Sequence, residues 1–281
     1  MDKKKILATL ILLPVFVWLV GWGPIWLISA IVLLLGAGLG GWESAKLAFG
    51  DTEASWRKLA TALSVVACVA SATGDDTSIV MALLGIFFLA FVATSLFSGE
   101  LNQTLLRTAK LMFVALYPGL LIGYLIALKG YEPLVHGSKL LMMLFALVWV
   151  NDSGAYFAGK LKGKRKFAPV ISPNKTWEGA IGGFVATLLL GLLIGWASPS
   201  FTAGQGLILG VVLGIVGPVG DLLESAIKRG AGVKDSGMLL PGHGGVLDRI
   251  DSVIACAPIF YYYVAYSQHA GVLHWLAIGP K

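Results

Sequence analysis

Acids, bases and glycines fall together in one segment near the C-terminus. Asp221-Leu222-Leu223-Glu224-Ser225 opens it, Lys228-Arg229 and Lys234-Asp235 follow, and Pro241-Gly242-His243-Gly244-Gly245 leads into Asp248-Arg249-Ile250-Asp251. Carboxylates are hard oxygen donors, and Mg2+ takes a few of them alongside waters and substrate phosphates. Lys and Arg offset phosphate charge, Arg through paired hydrogen bonds. Glycines let backbone come close to a ligand. Together these residue types suit a metal-and-phosphate site. Plainer roles are open at several positions. Glu224 and Lys228, four apart, make an ordinary helical ion pair. Asp248 and Asp251 favour a helix N-terminus through its dipole. His243 serves equally as a loop hydrogen-bonder. Asp221 resists such a reduction, because it has no base within its own turn and follows Gly217-Pro218-Val219-Gly220, where a proline loosens the helix and frees carbonyls.

Two further clusters belong to the same chemistry. Ser172-Pro173-Asn174-Lys175-Thr176-Trp177-Glu178-Gly179 precedes an apolar run. Ser172, Asn174 or Thr176 can cap the helix that follows. A helix N-terminus also presents free amides to phosphate, with Lys175 supplying charge beside them. Simple capping is the alternative. The basic run from Lys160 to Lys166 is an unspecific anchor taken alone. Asn151-Asp152-Ser153, with Tyr156, lies inside another apolar run. Asp152 is either a cation ligand or part of a hydrogen-bond cluster joining helices.

These clusters must be positioned by membrane helices. The chain is 57% hydrophobic and 13% charged, with 36 glycines, over 281 residues. A soluble domain carries roughly twice that charge. A span needs about 20 mainly apolar residues. Candidate spans are 5–21, 24–42, 57–73, 77–98, 104–128, 138–158, 177–197, 205–228 and 248–268. This predicts an all-α integral membrane protein, a polytopic bundle of about nine transmembrane helices. The run after Lys3-Lys4-Lys5 reads as an uncleaved first helix, since no small-residue cleavage pattern follows. Numbering the connections alternately from inside leaves only Lys129, Lys139 and Lys281 of the 21 Lys and Arg outside. Positive residues collect on the cytoplasmic side, so the N-terminus is expected inside and the C-terminus outside. The net charge of +6 is then topological, and nucleic acid is not implied. Asp152 and Asp221 lie 13 and 16 residues into spans that enter from outside, about 20 and 24 Å along, so all three clusters gather on the cytoplasmic side. Residues 1–98 are expected as scaffold, with a modest cytoplasmic loop around Glu43–Lys58, and 99–281 as the catalytic region. Small residues four apart, such as Gly191/Gly195 and Gly206/Gly210/Gly214, predict close helix packing. Cys68 and Cys256 read as packed thiols.

Walker A, nucleophile-elbow and HExxH patterns are absent from the sequence. Ser225-x-Ile227-Lys228-Arg229, Lys234-Asp235-x-Gly237 and Leu240-Pro241-x-His243-Gly244-Gly245-x-x-Asp248-Arg249-Ile250-Asp251 resemble the signature of the phosphatidate cytidylyltransferase (CDP-diacylglycerol synthase) family. The Ser172–Gly179 element and the polar run at Asn151–Ser153 extend the likeness. The resemblance implies transfer of the cytidylyl group of CTP to phosphatidic acid, giving CDP-diacylglycerol and pyrophosphate, by a Mg2+-dependent enzyme that has family precedent for K+ as a second cation, and a homodimer in a bacterial plasma membrane. It implies Asp221 and Asp248, with Asp251 or Glu224, as metal ligands. Asp152 becomes a second-cation ligand or an orienting residue. Lys175, Lys228, Arg229, Lys234 and Arg249 become contacts for triphosphate and phosphatidate. Ser172, Asn174, Thr176, Glu178, Ser225, Asp235, His243, Gly244 and Gly245 complete the expected substrate site. An ion-coupled transporter places its site near the midplane, often between repeats, and no repeat is visible here. A CDP-alcohol phosphotransferase needs a D-G-x-x-A-R pattern that this chain lacks.

Overall fold

A computed structural model describes residues 14–97, 99–131, 137–198, 200–237 and 244–269. Helix α1 occupies 14–22. Then come α2 (Ile25–Phe49), α3 (Ala54–Ala72), α4 (Asp76–Phe97), α5 (Leu101–Lys129) and α6 (Gly137–Lys162). A two-stranded antiparallel hairpin follows, β1 (Lys166–Ala168) with β2 (Ser172–Thr176). Helices α7 (Trp177–Ala197), α8 (Ala203–Gly230) and α9 (Leu247–His269) complete the described chain.

Among the described residues six helices are long and apolar enough to cross a membrane: α2, α4, α5, α6, α7 and α8. The chain has the all-α membrane architecture expected of it, with the small hairpin as an addition. The other three expected spans do not meet that measure among the described residues, and 5–21 lies largely outside them. Arg57 and Lys58 open α3, Asp248, Arg249 and Asp251 open α9, and α1 shows only nine described residues, 14–22.

Close approach holds the helices together, because apolar burial gives no advantage over lipid. A Cβ on Gly191 would run into the Gly206 carbonyl, and one on Gly210 would lie 2.9 Å from the Leu188 Cα. The glycine ladder is thus an α7–α8 seam. Gly119 and Gly123 seat α5 in the same way against the Ser64 and Cys68 backbone of α3. Leu128, Leu140, Leu144, Ile254 and Phe260 are fully buried where α5, α6 and α9 meet.

Prolines shape the helices as their chemistry demands. Pro118 lies in a π-helical stretch of α5, Ala115–Leu120, which absorbs a ring that removes one N–H from the ladder. Pro218 lies inside α8 and leaves the Gly214 carbonyl, four residues back, without its helical donor. Asn151 of α6 fills that vacancy, donating from Nδ2 to Gly214 O at 3.2 Å and to Thr187 Oγ1 of α7 at 3.0 Å. One buried amide therefore ties three helices at the level of Asp152.

The expected loop around Glu43–Lys58 is corrected. Helix α2 continues through Phe49 and α3 begins at Ala54, leaving a short turn. Glu43 sits within α2 and is buried. A charge there is costly unless hydrogen-bonded, and its partners, described below, come from the far end of the chain.

Candidate active site

Four elements converge on a cavity of about 570 Å³ lined by Asp152, Tyr156, Lys160, Asn174, Lys175, Thr176, Pro218 and Asp221, among others. Helix α6 brings Asp152 and Lys160, the hairpin brings Asn174 and Lys175, and α8 brings Asp221. The hairpin is held in place locally. Thr176 caps α7, its hydroxyl accepting from Gly179 N at 3.2 Å. Trp177 N donates to Arg165 O at 2.9 Å across the hairpin. Glu178 accepts from Lys164 N at 3.1 Å and Arg165 N at 3.2 Å, and the Phe167 ring meets Trp177 edge-on at 4.5 Å between centroids. Of the two roles open to the Ser172–Gly179 element, capping is what the geometry shows. Amides of the first turn are already in use, so positive charge at this end of the cavity comes from Lys175.

The Lys175 ammonium lies 2.7 Å from Asp221 Oδ2. Ser225 Oγ approaches the other carboxylate oxygen at 3.4 Å. Asp152, Asp221 and Asp251 lie within electrostatic reach of one another. Asp152, Asp221 and Lys175 thus line the cavity, with Asp251 close enough to feel both acids.

A second cluster lies one turn along α8. Glu224 is 1% exposed, and Lys228 Nζ reaches its Oε2 at 2.9 Å. The same ammonium contacts Asp248 Oδ1 at the start of α9. Asp248 Oδ2 accepts from Ser236 N at 3.0 Å, Ser236 Oγ at 3.0 Å and Gly245 N at 2.8 Å. Gly244 has φ +77°, a conformation that suits glycine, and a Cβ there would lie 2.6 Å from Asp248 Oδ2. These contacts make Asp248 the organiser of the segment before α9. Losing one partner of such a buried pair costs about 3–5 kcal/mol by leaving a charge uncompensated.

Glu43 joins this second cluster and was not anticipated. Its carboxylate accepts from Val246 N at 3.0 Å, Leu247 N at 2.9 Å and Ser236 Oγ at 3.0 Å. A glutamate between apolar runs was the available signal; nothing in its spacing points to a partner some 200 residues on.

The remaining expected residues divide. Arg229 binds backbone, donating to Ile171 O at 3.3 Å and Val233 O at 3.1 Å, and so ties the hairpin turn to the end of α8. Ser172 pairs with Ala168 in the hairpin. Lys234 and Asp235 are exposed beyond α8. Arg249 borders a separate apolar groove of about 290 Å³, with Trp149, Ile250 and Val253 among its walls. His243 lies outside the described residues.

Oxygen donors in this arrangement fit a hard cation. Among the described residues no three His, Cys, Asp or Glu side chains form a ready cage, but Mg2+ commonly binds through one or two carboxylates plus phosphates and water. Glu224 Oε1 and Asn151 Oδ1 are buried acceptors without a hydrogen-bond partner, so acceptor capacity is left over beside both clusters.

Comparison with known proteins gives the lineage. A Haemophilus influenzae protein named phosphatidate cytidylyltransferase is 50% identical over 133 residues, 46% of this chain and 46% of that protein. A Brucella abortus protein of the same name is 45% identical over 165 residues, 56% of this chain and 57% of its own. Escherichia coli uncharacterized protein YnbB is 48% identical over 130 residues, 46% of this chain and 44% of its own. The chain spans about half the length of the curated relatives it matches. The profile of the cytidylyltransferase family matches much more, residues 3–267. With that match over nearly its whole length, the chain belongs to the cytidylyltransferase family.

Proposed function

We propose that the protein is a phosphatidate cytidylyltransferase, converting CTP and phosphatidic acid to CDP-diacylglycerol and pyrophosphate. The observation that carries this is the Lys175–Asp221 pair in a cavity walled by membrane-length helices: a phosphate-binding cation and a metal-binding anion in one place. The relatives named for this activity support the reading. So does the apolar groove beside Arg249, which suits an acyl chain below an anionic headgroup.

A phosphate oxygen of phosphatidate attacks the α-phosphorus of CTP, a new P–O bond forms, and the bond to the β-phosphate oxygen breaks to release pyrophosphate. That nucleophile is already anionic, so no strong general base is required. Phosphoryl-type transfer asks the protein mainly for positioning and charge stabilisation. In the chain as it stands, Lys175 pairs with Asp221, and Lys228 is shared between Glu224 and Asp248. On substrate binding the two lysines exchange carboxylate for phosphate. The released oxygens of Asp221 and Asp248, with Asp251, Asp152 or Glu224, are then free to hold Mg2+, with K+ as a possible second cation. A Mg2+ held by these residues would supply charge neutralisation at the α-phosphate and on the departing pyrophosphate. Lys160, Arg249 and Lys234 add positive charge around the anions, while Asn174 lines the nucleotide cavity.

The same reading includes nine spans with the N-terminus inside and the C-terminus outside, a bacterial plasma membrane, a cavity facing the cytoplasm and a homodimer. The purified protein should carry label from CTP into a lipid extract when phosphatidic acid and Mg2+ are present, and EDTA should stop it. Label that stays in the aqueous phase across several acyl chains, with K+ present, would sink the proposal.

A further inference from the structure

We infer that Glu43 is a positioning residue of the reaction, holding Ser236 and the Val246-Leu247 start of α9 so that Asp248 meets Lys228. The inference rests on the cytidylyltransferase reading for its kinetic part and on geometry for the rest. Glu43 is 7% exposed in α2, a helix from the opposite end of the chain. Its two oxygens receive Val246 N, Leu247 N and Ser236 Oγ. Those donors flank the glycine-rich loop: Ser236 stands before it and Val246-Leu247 after it. Ser236 Oγ also reaches Asp248 Oδ2 at 3.0 Å, so one hydroxyl links the two carboxylates.

The fit is close on every side. A Cβ on Gly237 or on Gly245 would run into the Glu43 carboxylate. Burying a carboxylate is costly without hydrogen bonds, and the two amides at the α9 N-terminus stabilise it through the helix dipole as well. Glu43 also occupies amides that a helix N-terminus otherwise offers to phosphate. The start of α9 therefore contributes a fixed frame, and substrate phosphate is left to the lysines.

The test compares Glu43→Gln with the parent in detergent, normalised to folded protein. Gln keeps the size but sets an NH2 donor against donors. Misplacement of groups that orient a site costs about 10–100-fold. Turnover should therefore fall about 10–100-fold, the Val246 and Leu247 amides should lose hydrogen-exchange protection, and Glu43→Asp should recover part of both. Unchanged kcat and KM per folded molecule would overturn the inference, whatever the thermal stability. Should Glu43→Gln fail to fold, Ser236→Ala, which cuts the link between the carboxylates, decides on the same readouts. If the parent itself makes no labelled lipid, the function is wrong; amide protection then decides alone, and protection equal in both proteins refutes the positioning role.

Discussion

Two lysines and six carboxylates set the electrostatics of the site. Lys175 faces Asp221 at 2.7 Å and Lys228 bridges Glu224 and Asp248. Each lysine faces acids that other acids crowd, so a lysine that leaves for a phosphate exposes carboxylates that a cation must then offset. Lys175→Met removes one charge-assisted contact, worth about 1.5–3 kcal/mol. Its KM for CTP should rise roughly 10–100-fold in steady-state assays, while KM for phosphatidate stays near its parent value. A rise confined to phosphatidate would place Lys175 on the lipid phosphate instead. Asp221 stood out in the sequence by its depth and its missing neighbour base. The Glu224–Lys228 pair was legible from its four-residue spacing. Glu43 was not, because a buried acid makes sense only once α2 and α9 are seen packed together.

Helices position these side chains through contacts that small residues and prolines permit. Gly191 meets Gly206 backbone to backbone across the α7–α8 seam, whereas Gly85 of α4 has open space at its Cβ position. Gly191→Val should therefore lower the yield of folded protein, costing about 1–3 kcal/mol or more through overpacking. Gly85→Val should leave thermal unfolding unchanged, and similar stability in the two variants would show the seam to be loose. This seam was legible as a four-residue glycine repeat. The hairpin of Lys166–Ala168 with Ser172–Thr176 was not, since its strands are short, one contains Pro173, and the contacts that settle them, to Glu178, Trp177 and Arg229, appear only in the fold. Pro218 announced a freed carbonyl, and the structure supplies the partner, Asn151.

At the scale of the molecule, the first hundred residues are more than scaffold, because α2 delivers Glu43 to the frame of α9. Among the described residues six helices are long and apolar enough to span, and the proposed nine-span topology makes a definite prediction. Cys68 and Cys256 are buried and should stay silent to an impermeant maleimide. A cysteine at Ser200 should label in intact cells, and one at Lys164 only after permeabilisation; the reverse pattern would invert the molecule. The hairpin, the end of α8 and the start of α9 gather acids and bases at one end, where a soluble nucleotide and a membrane lipid can both arrive. The decisive measurement compares the purified parent with Asp221→Asn, using labelled CTP, phosphatidic acid and Mg2+, and counts CDP-diacylglycerol and pyrophosphate together. The parent should release one pyrophosphate per labelled lipid, and the variant, equally well assembled, should lose at least about 100-fold, since even residues supporting a metal ligand cost 10–100-fold. No labelled lipid from the folded parent, or near-normal turnover in Asp221→Asn, would contradict cytidylyl transfer at this site.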